Sequence, residues 1–151
     1  MVRLEEIIDK ISAYNPAADL ELIKKAYIFS AKVHQGQVRL SGEPYLSHII
    51  EVANTLANMQ MDVTTVVAGI LHDTVEDTLT TLDKIKELFG ENVATLVDGV
   101  TKIGKISFEA KTTSSGEERQ AENFRKMIIA MAEDIRVIMI KLADRLHNMR
   151  T

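Results

Sequence analysis

The 151-residue sequence is 46% hydrophobic, has no cysteine and carries a formal net charge of −4, which suits one domain with a single core and excludes a disulfide framework or a cysteine-based zinc site. The modest negative charge argues against direct nucleic-acid binding, which needs a dense basic face. No apolar run approaches the roughly 18 residues that span a bilayer, so no membrane association is expected.

The start, Met1-Val2-Arg3-Leu4-Glu5-Glu6, lacks an apolar core of signal-peptide length, and a reducing cytoplasm is the expected compartment. Apolar residues then recur at three- and four-residue spacing, as in Leu4, Ile7, Ile8 and Ile11, or Leu20, Ile23, Tyr27 and Ala31, the period of amphipathic helices. No segment reads as a strand, so the expected fold is an all-α bundle of seven or eight helices. Asn15-Pro16 is expected to open the second helix and Gly36 to close it; Asp62 and Thr81 suit N-caps, and Gly90 suits the end of the fifth helix. Two loops are expected, from Gln37 to Pro44 and from about Lys102 to Gly116, the second polar, without periodicity, and mobile. The charge is uneven: residues 1–100 hold 8 Lys and Arg against 15 Asp and Glu, and residues 101–151 hold 10 against 7. A small polyanion would be drawn to the basic third, although an ordinary solvated surface explains most such imbalances.

The most informative stretch is Gly69-Ile70-Leu71-His72-Asp73-Thr74-Val75-Glu76-Asp77-Thr78. It puts four ionisable groups directly after an apolar helix, where buried charge is costly unless it is paired, hydrogen-bonded or bound to a cation. A metal site or a tight polar network is the expectation. Adjacent His72 and Asp73 point about 100° apart on an ideal helix, so the helix is expected to loosen there if both reach one ion. Further ligands must come from elsewhere, and His48 and Asp144 are the candidates. Two imidazoles and two carboxylates would neutralise one divalent cation and leave positions for water and substrate. That donor set leaves manganese, iron, cobalt and zinc open. In the last segment Asp144, Asn148 and Thr151 lie at i, i+4 and i+7 and share a helical face; a capped, fraying helix end accounts for them equally well.

His48, His72-Asp73 and the distant Asp144 form the pattern of the HD phosphohydrolase superfamily. The blocks Arg39-Leu40-Ser41-Gly42-Glu43-Pro44-Tyr45, His72 to Thr78, Val97-Asp98-Gly99-Val100-Thr101-Lys102, and Ile140 to Thr151 closely resemble the hydrolase domain of RelA/SpoT proteins. The resemblance implies an all-helical HD fold over residues 1–151 and an N-terminal piece of a longer hydrolase/synthetase chain. It also implies one Mn²⁺ held by His48, His72, Asp73 and Asp144, and hydrolysis of (p)ppGpp to GDP or GTP plus pyrophosphate. Glu76 and Asp77 then match the catalytic carboxylate pair, Arg39 the residue packed against guanine, and Ser41, Asn148 and Thr151 substrate-side polar groups. The implied partners are (p)ppGpp and any synthetase and regulatory regions that follow. Leu40 departs from the pattern, because many members carry a basic residue there, and its absence removes one phosphate contact.

Other conspicuous residues have plainer readings. His34 and His147 are expected to be hydrogen-bonded packing residues, and the methionines between Met127 and Met149 core filler. Lys102, Lys105 and Lys111 read first as solvated loop residues; Lys141 and Arg145, beside Asp144, are stronger candidates for meeting phosphate, though salt bridges explain them equally. Two rival functions remain at this point. One is HD chemistry on another nucleotide, and the other is a regulatory domain without catalysis, against which the presence of all four ligand candidates argues.

Overall fold

In the computed structural model, which describes residues 2–37, 42, 44–112, 121, 122, 125 and 134–150, with backbone alone for 77, 104–112 and 150, the apolar periodicity becomes helix. Among the described residues seven helices run over α1 (Leu4–Tyr14), α2 (Leu20–Val33), α3 (Tyr45–Asn58), α4 (Val63–Asp77), α5 (Leu82–Phe89), α6 (Glu91–Thr112) and α7 (Ile135–Arg150). Residues 121, 122 and 125 are helical as well, and no strand occurs among the described residues. No described helix is long and apolar enough to cross a membrane.

The hub is α4, packed against α2, α3, α6 and α7. Val66, Val67, Ala68, Ile70 and Leu71 are all fully buried, so the middle of this helix is apolar well beyond a single stripe. Each of its larger aliphatic side chains contributes about 1.5–3 kcal/mol by leaving water. Gly69 lets α3 approach closely: a Cβ there would lie 2.5 Å from Leu56 Cδ1. Gly99 does the same between α6 and α7, where a Cβ would lie 2.9 Å from Val137 Cγ2. Ser30 Oγ donates to the Ile70 carbonyl at 3.1 Å and ties α2 to the same hub.

Helix ends follow local chemistry. Thr81 caps α5 by accepting from the Lys84 amide at 3.2 Å, and Gly90, at φ +95°, ends it. Gly36, at φ +80°, follows the end of α2. Asp62 occupies the N-cap position of α4, but its carboxylate does not cap the backbone. It accepts instead from the Thr65 hydroxyl and from Arg136 Nη1, the latter at 3.2 Å, joining the starts of α4 and α7.

Two expectations about boundaries are corrected. Asn15-Pro16 does not open α2: Asn15 closes α1, its amide donating to the Ile11 carbonyl, and α2 starts at Leu20 with Asp19 accepting from the Leu22 amide at 3.2 Å. Residues Lys102 to Thr112 are not loop but the continuation of α6. Lys, Glu and Ala are good helix formers, and extending a helix already nucleated over Glu91–Ile103 costs far less than starting one.

Candidate metal centre

Three helices converge on one buried point. α3 brings His48, α4 brings His72 and Asp73, and α7 brings Asp144, each offering a donor atom within 4.8 Å of the others. Both histidines and Asp144 are buried, and Asp73 is half-buried. The approach of α3 to α4 over Gly69 and of α7 to α6 over Gly99 brings these residues within reach.

The expected loosening of the helix at His72 and Asp73 does not occur, because α4 continues unbroken to Asp77. The side chain of His72 makes the adjustment. It folds back one turn, and Nδ1 donates to the Gly69 carbonyl at 2.6 Å. That bond directs Nε2 to the centre, where it lies 3.1 Å from Asp73 Oδ1 and 3.3 Å from Asp144 Oδ1. His48 Nε2 lies 2.7 Å from the same Asp144 oxygen and 3.7 Å from Asp73 Oδ2.

These separations suit a cation. Nitrogen and oxygen ligands about 2.1 Å from one ion lie roughly 3.0 to 3.4 Å from each other in octahedral or tetrahedral arrangements, and the four distances bracket that range. The electrostatics agree. Burial disfavours the His72 imidazolium, but the Asp73 carboxylate, and Asp144 by hydrogen bond and charge, push its pKa up to about 10. Burial also disfavours the Asp144 carboxylate, yet hydrogen bonds from His48 and His72 hold it well below the usual carboxylate range. The centre therefore stabilises positive charge, which without a metal is a proton on His72.

His147 is buried and hydrogen-bonded, as expected of a packing residue, and its partner is a candidate ligand: its Nδ1 lies 2.6 Å from His48 Nδ1, so it touches the back of that ring. The one signal available in the sequence was its position three residues after Asp144, on the same face of α7. His34 does behave as a packing residue: it is buried, stacks on Tyr45 at 4.9 Å, and its Nδ1 bonds Gln37 Oε1 at 3.0 Å.

Glu76 follows His72 by one helical turn and is exposed. It lines a cleft of about 680 Å³ with Gln37, Thr78, Thr80, Lys84 and the apolar Phe29, Val33 and Leu79. Asp77 ends α4, but its side chain lies outside the described residues, as do Arg39, Ser41 and Thr151. Asn148 donates to Asp144 Oδ2 at 3.5 Å, and Lys141 Nζ approaches the same oxygen at 3.7 Å. Asp144 thus turns one oxygen to the imidazoles and the other to its own helix.

The HD domain family matches residues 26–151. The chain is 63% identical over 141 residues to a "GTP pyrophosphokinase" of Myxococcus xanthus, covering 93% of this chain and 18% of that protein. It is 48% identical over its whole length to the "Bifunctional (p)ppGpp synthase/hydrolase SpoT" of Escherichia coli K12, covering 21% of that protein. The chain therefore spans about a fifth of the length of these relatives. A solved structure, described as a metazoan ortholog of SpoT that hydrolyzes ppGpp, superposes with a TM-score of 0.63 and 29% identity, over 85% of this chain and 68% of its own. The family match over most of the chain and the all-helical fold agree: this chain belongs to the HD-domain family.

Proposed function

We propose that the domain is a metal-dependent hydrolase that removes pyrophosphate from the 3′ position of (p)ppGpp in the cytoplasm. In this reading His48, His72, Asp73 and Asp144 hold a single Mn²⁺. The observation that carries it is the convergence of two imidazoles and two carboxylates from α3, α4 and α7. A divalent ion supplies Lewis-acid polarisation of a phosphoryl oxygen and a lowered pKa for water. Water adds to the phosphorus attached to the ribose 3′ oxygen, the bond between them breaks, and GDP or GTP leaves with a free 3′ hydroxyl alongside pyrophosphate.

The chain's residues supply binding and proton handling. Glu76, one turn beyond His72 in the lining of the cleft, accepts the proton of the attacking water, with Asp77 as its companion. Arg39 stacks on the guanine, which suits a planar, weakly hydrated guanidinium. Ser41, Asn148 and Thr151 face the substrate. The domain is the hydrolase portion of a longer chain with synthetase and regulatory regions, which the greater length of its relatives supports.

The test is pyrophosphate release from ppGpp and from GTP, ATP and dGTP, with and without Mn²⁺. Manganese-dependent release from ppGpp alone is expected. Release from the ordinary triphosphates at an equal rate would sink the substrate assignment.

A further inference from the structure

We infer that His147 positions the metal ligand His48 by fixing which of its ring nitrogens carries the proton. This rests on the metal centre proposed above, and it concerns a residue outside the four-ligand set. An imidazole binds a metal through a nitrogen lone pair, so a neutral ligand histidine carries its proton on the other nitrogen and gives it to a hydrogen-bond acceptor. For His72 that acceptor is the Gly69 carbonyl, 2.6 Å from Nδ1. For His48 the atom in the equivalent place is His147 Nδ1, 2.6 Å from His48 Nδ1. The two rings are tilted by 38° with centroids 4.8 Å apart, and both are buried.

Two imidazole nitrogens this close share one proton. When His48 Nε2 faces a cation, that proton belongs to His48 Nδ1, and His147 Nδ1 accepts. His147 then carries its own proton on Nε2. The helix makes the arrangement economical, because Asp144 and His147 are at i and i+3 on α7. One face of one helix thus supplies a carboxylate to the front of His48 and an acceptor to its back. A packing ring would need only the right volume; the Nδ1 to Nδ1 approach requires an acceptor at a defined atom.

The test compares wild type, His147→Leu and His147→Asn by calorimetric titration with Mn²⁺, with thermal unfolding of each metal-free chain alongside. Asparagine can place Oδ1 near the position of the histidine Nδ1, whereas leucine fills similar space with methyl groups. His147→Leu is expected to weaken Mn²⁺ binding roughly 10- to 100-fold, the usual effect of removing a partner behind a ligand, and His147→Asn to stay within about threefold of wild type. Nitrogen-15 NMR of the wild-type chain loaded with diamagnetic Zn²⁺ should show His48 protonated at Nδ1 and His147 at Nε2, a readout that needs no variant to fold. Unchanged binding in His147→Leu, equal weakening in both variants, or His147 protonated at Nδ1 in the loaded chain would each overturn the assignment. Failure of wild type to bind Mn²⁺ or Zn²⁺ would remove the metal centre itself, and with it this role.

Discussion

Replacing Asp144 by asparagine keeps the shape of the side chain and an acceptor oxygen while removing its charge. In the metal-free chain the carboxylate bonds His48 Nε2 at 2.7 Å and His72 Nε2 at 3.3 Å. A hydrogen bond to a charged group is worth about 1.5–3 kcal/mol and a neutral one about 0.5–1.5 kcal/mol. Two weakened bonds thus cost roughly 2–3 kcal/mol. For a chain of this size each kcal/mol moves the melting temperature by about 2–4 °C, so metal-free Asp144→Asn should melt about 4–12 °C below wild type. The response to metal is the sharper readout. Mn²⁺ at a hundred times its dissociation constant stabilises the folded state by about 2.7 kcal/mol, a rise of roughly 5–11 °C in wild type. The variant, with one negative charge left to face a divalent ion, should show no rise at the same concentration. Differential scanning calorimetry with EDTA and with Mn²⁺ measures both, and an equal Mn²⁺-induced rise in the two proteins would refute the ligand role of Asp144.

Other perturbations address separate parts of the account. Glu76→Gln should keep the Mn²⁺-induced rise in melting temperature and lose about 10²- to 10⁴-fold in pyrophosphate release; full activity in this variant would remove Glu76 from the reaction. With the pKa of His72 raised to about 10 in the metal-free chain, binding an ion at Nε2 displaces a proton throughout the neutral range. Affinity should therefore rise with pH, about tenfold per unit between pH 6 and 8, and a flat titration series would contradict the charge distribution described. Gly99→Val should destabilise the chain by about 1–3 kcal/mol in urea unfolding, because even the Cβ would lie 2.9 Å from a Val137 methyl that is stiff at χ1.

Much of this was readable from the residues because the relevant physics is local or has a strong pattern. Thr81 and Gly90 end helices through their own side chain and backbone, and both are found where the sequence puts them. The burial cost of His72 and Asp73 next to Ile70 and Leu71 marks that stretch as a metal site or a tight polar network from sequence alone. What escaped depended on competition or distance. Asn15 and Asp19 are both good caps, and it is Asp19 that caps α2. The start of α7 is tied to Asp62 through Arg136, across 74 residues of sequence. His147 reads as an ordinary core residue because its partner, His48, is 99 positions away. The continuity of α4 was missed because an ideal helix fixes where Cβ points but leaves a side chain its rotamers, and His72 uses that freedom to bond Gly69.

The central claim is that α3, α4 and α7 hold one divalent ion between two imidazoles and two carboxylates. Crystals grown with Mn²⁺ and measured at the manganese absorption edge would locate any bound ion by its anomalous scattering. The account predicts a single strong peak within bonding distance, about 2.2 Å, of His48, His72, Asp73 and Asp144. A peak held by other residues, or none at this point in Mn²⁺-saturated crystals, would contradict it.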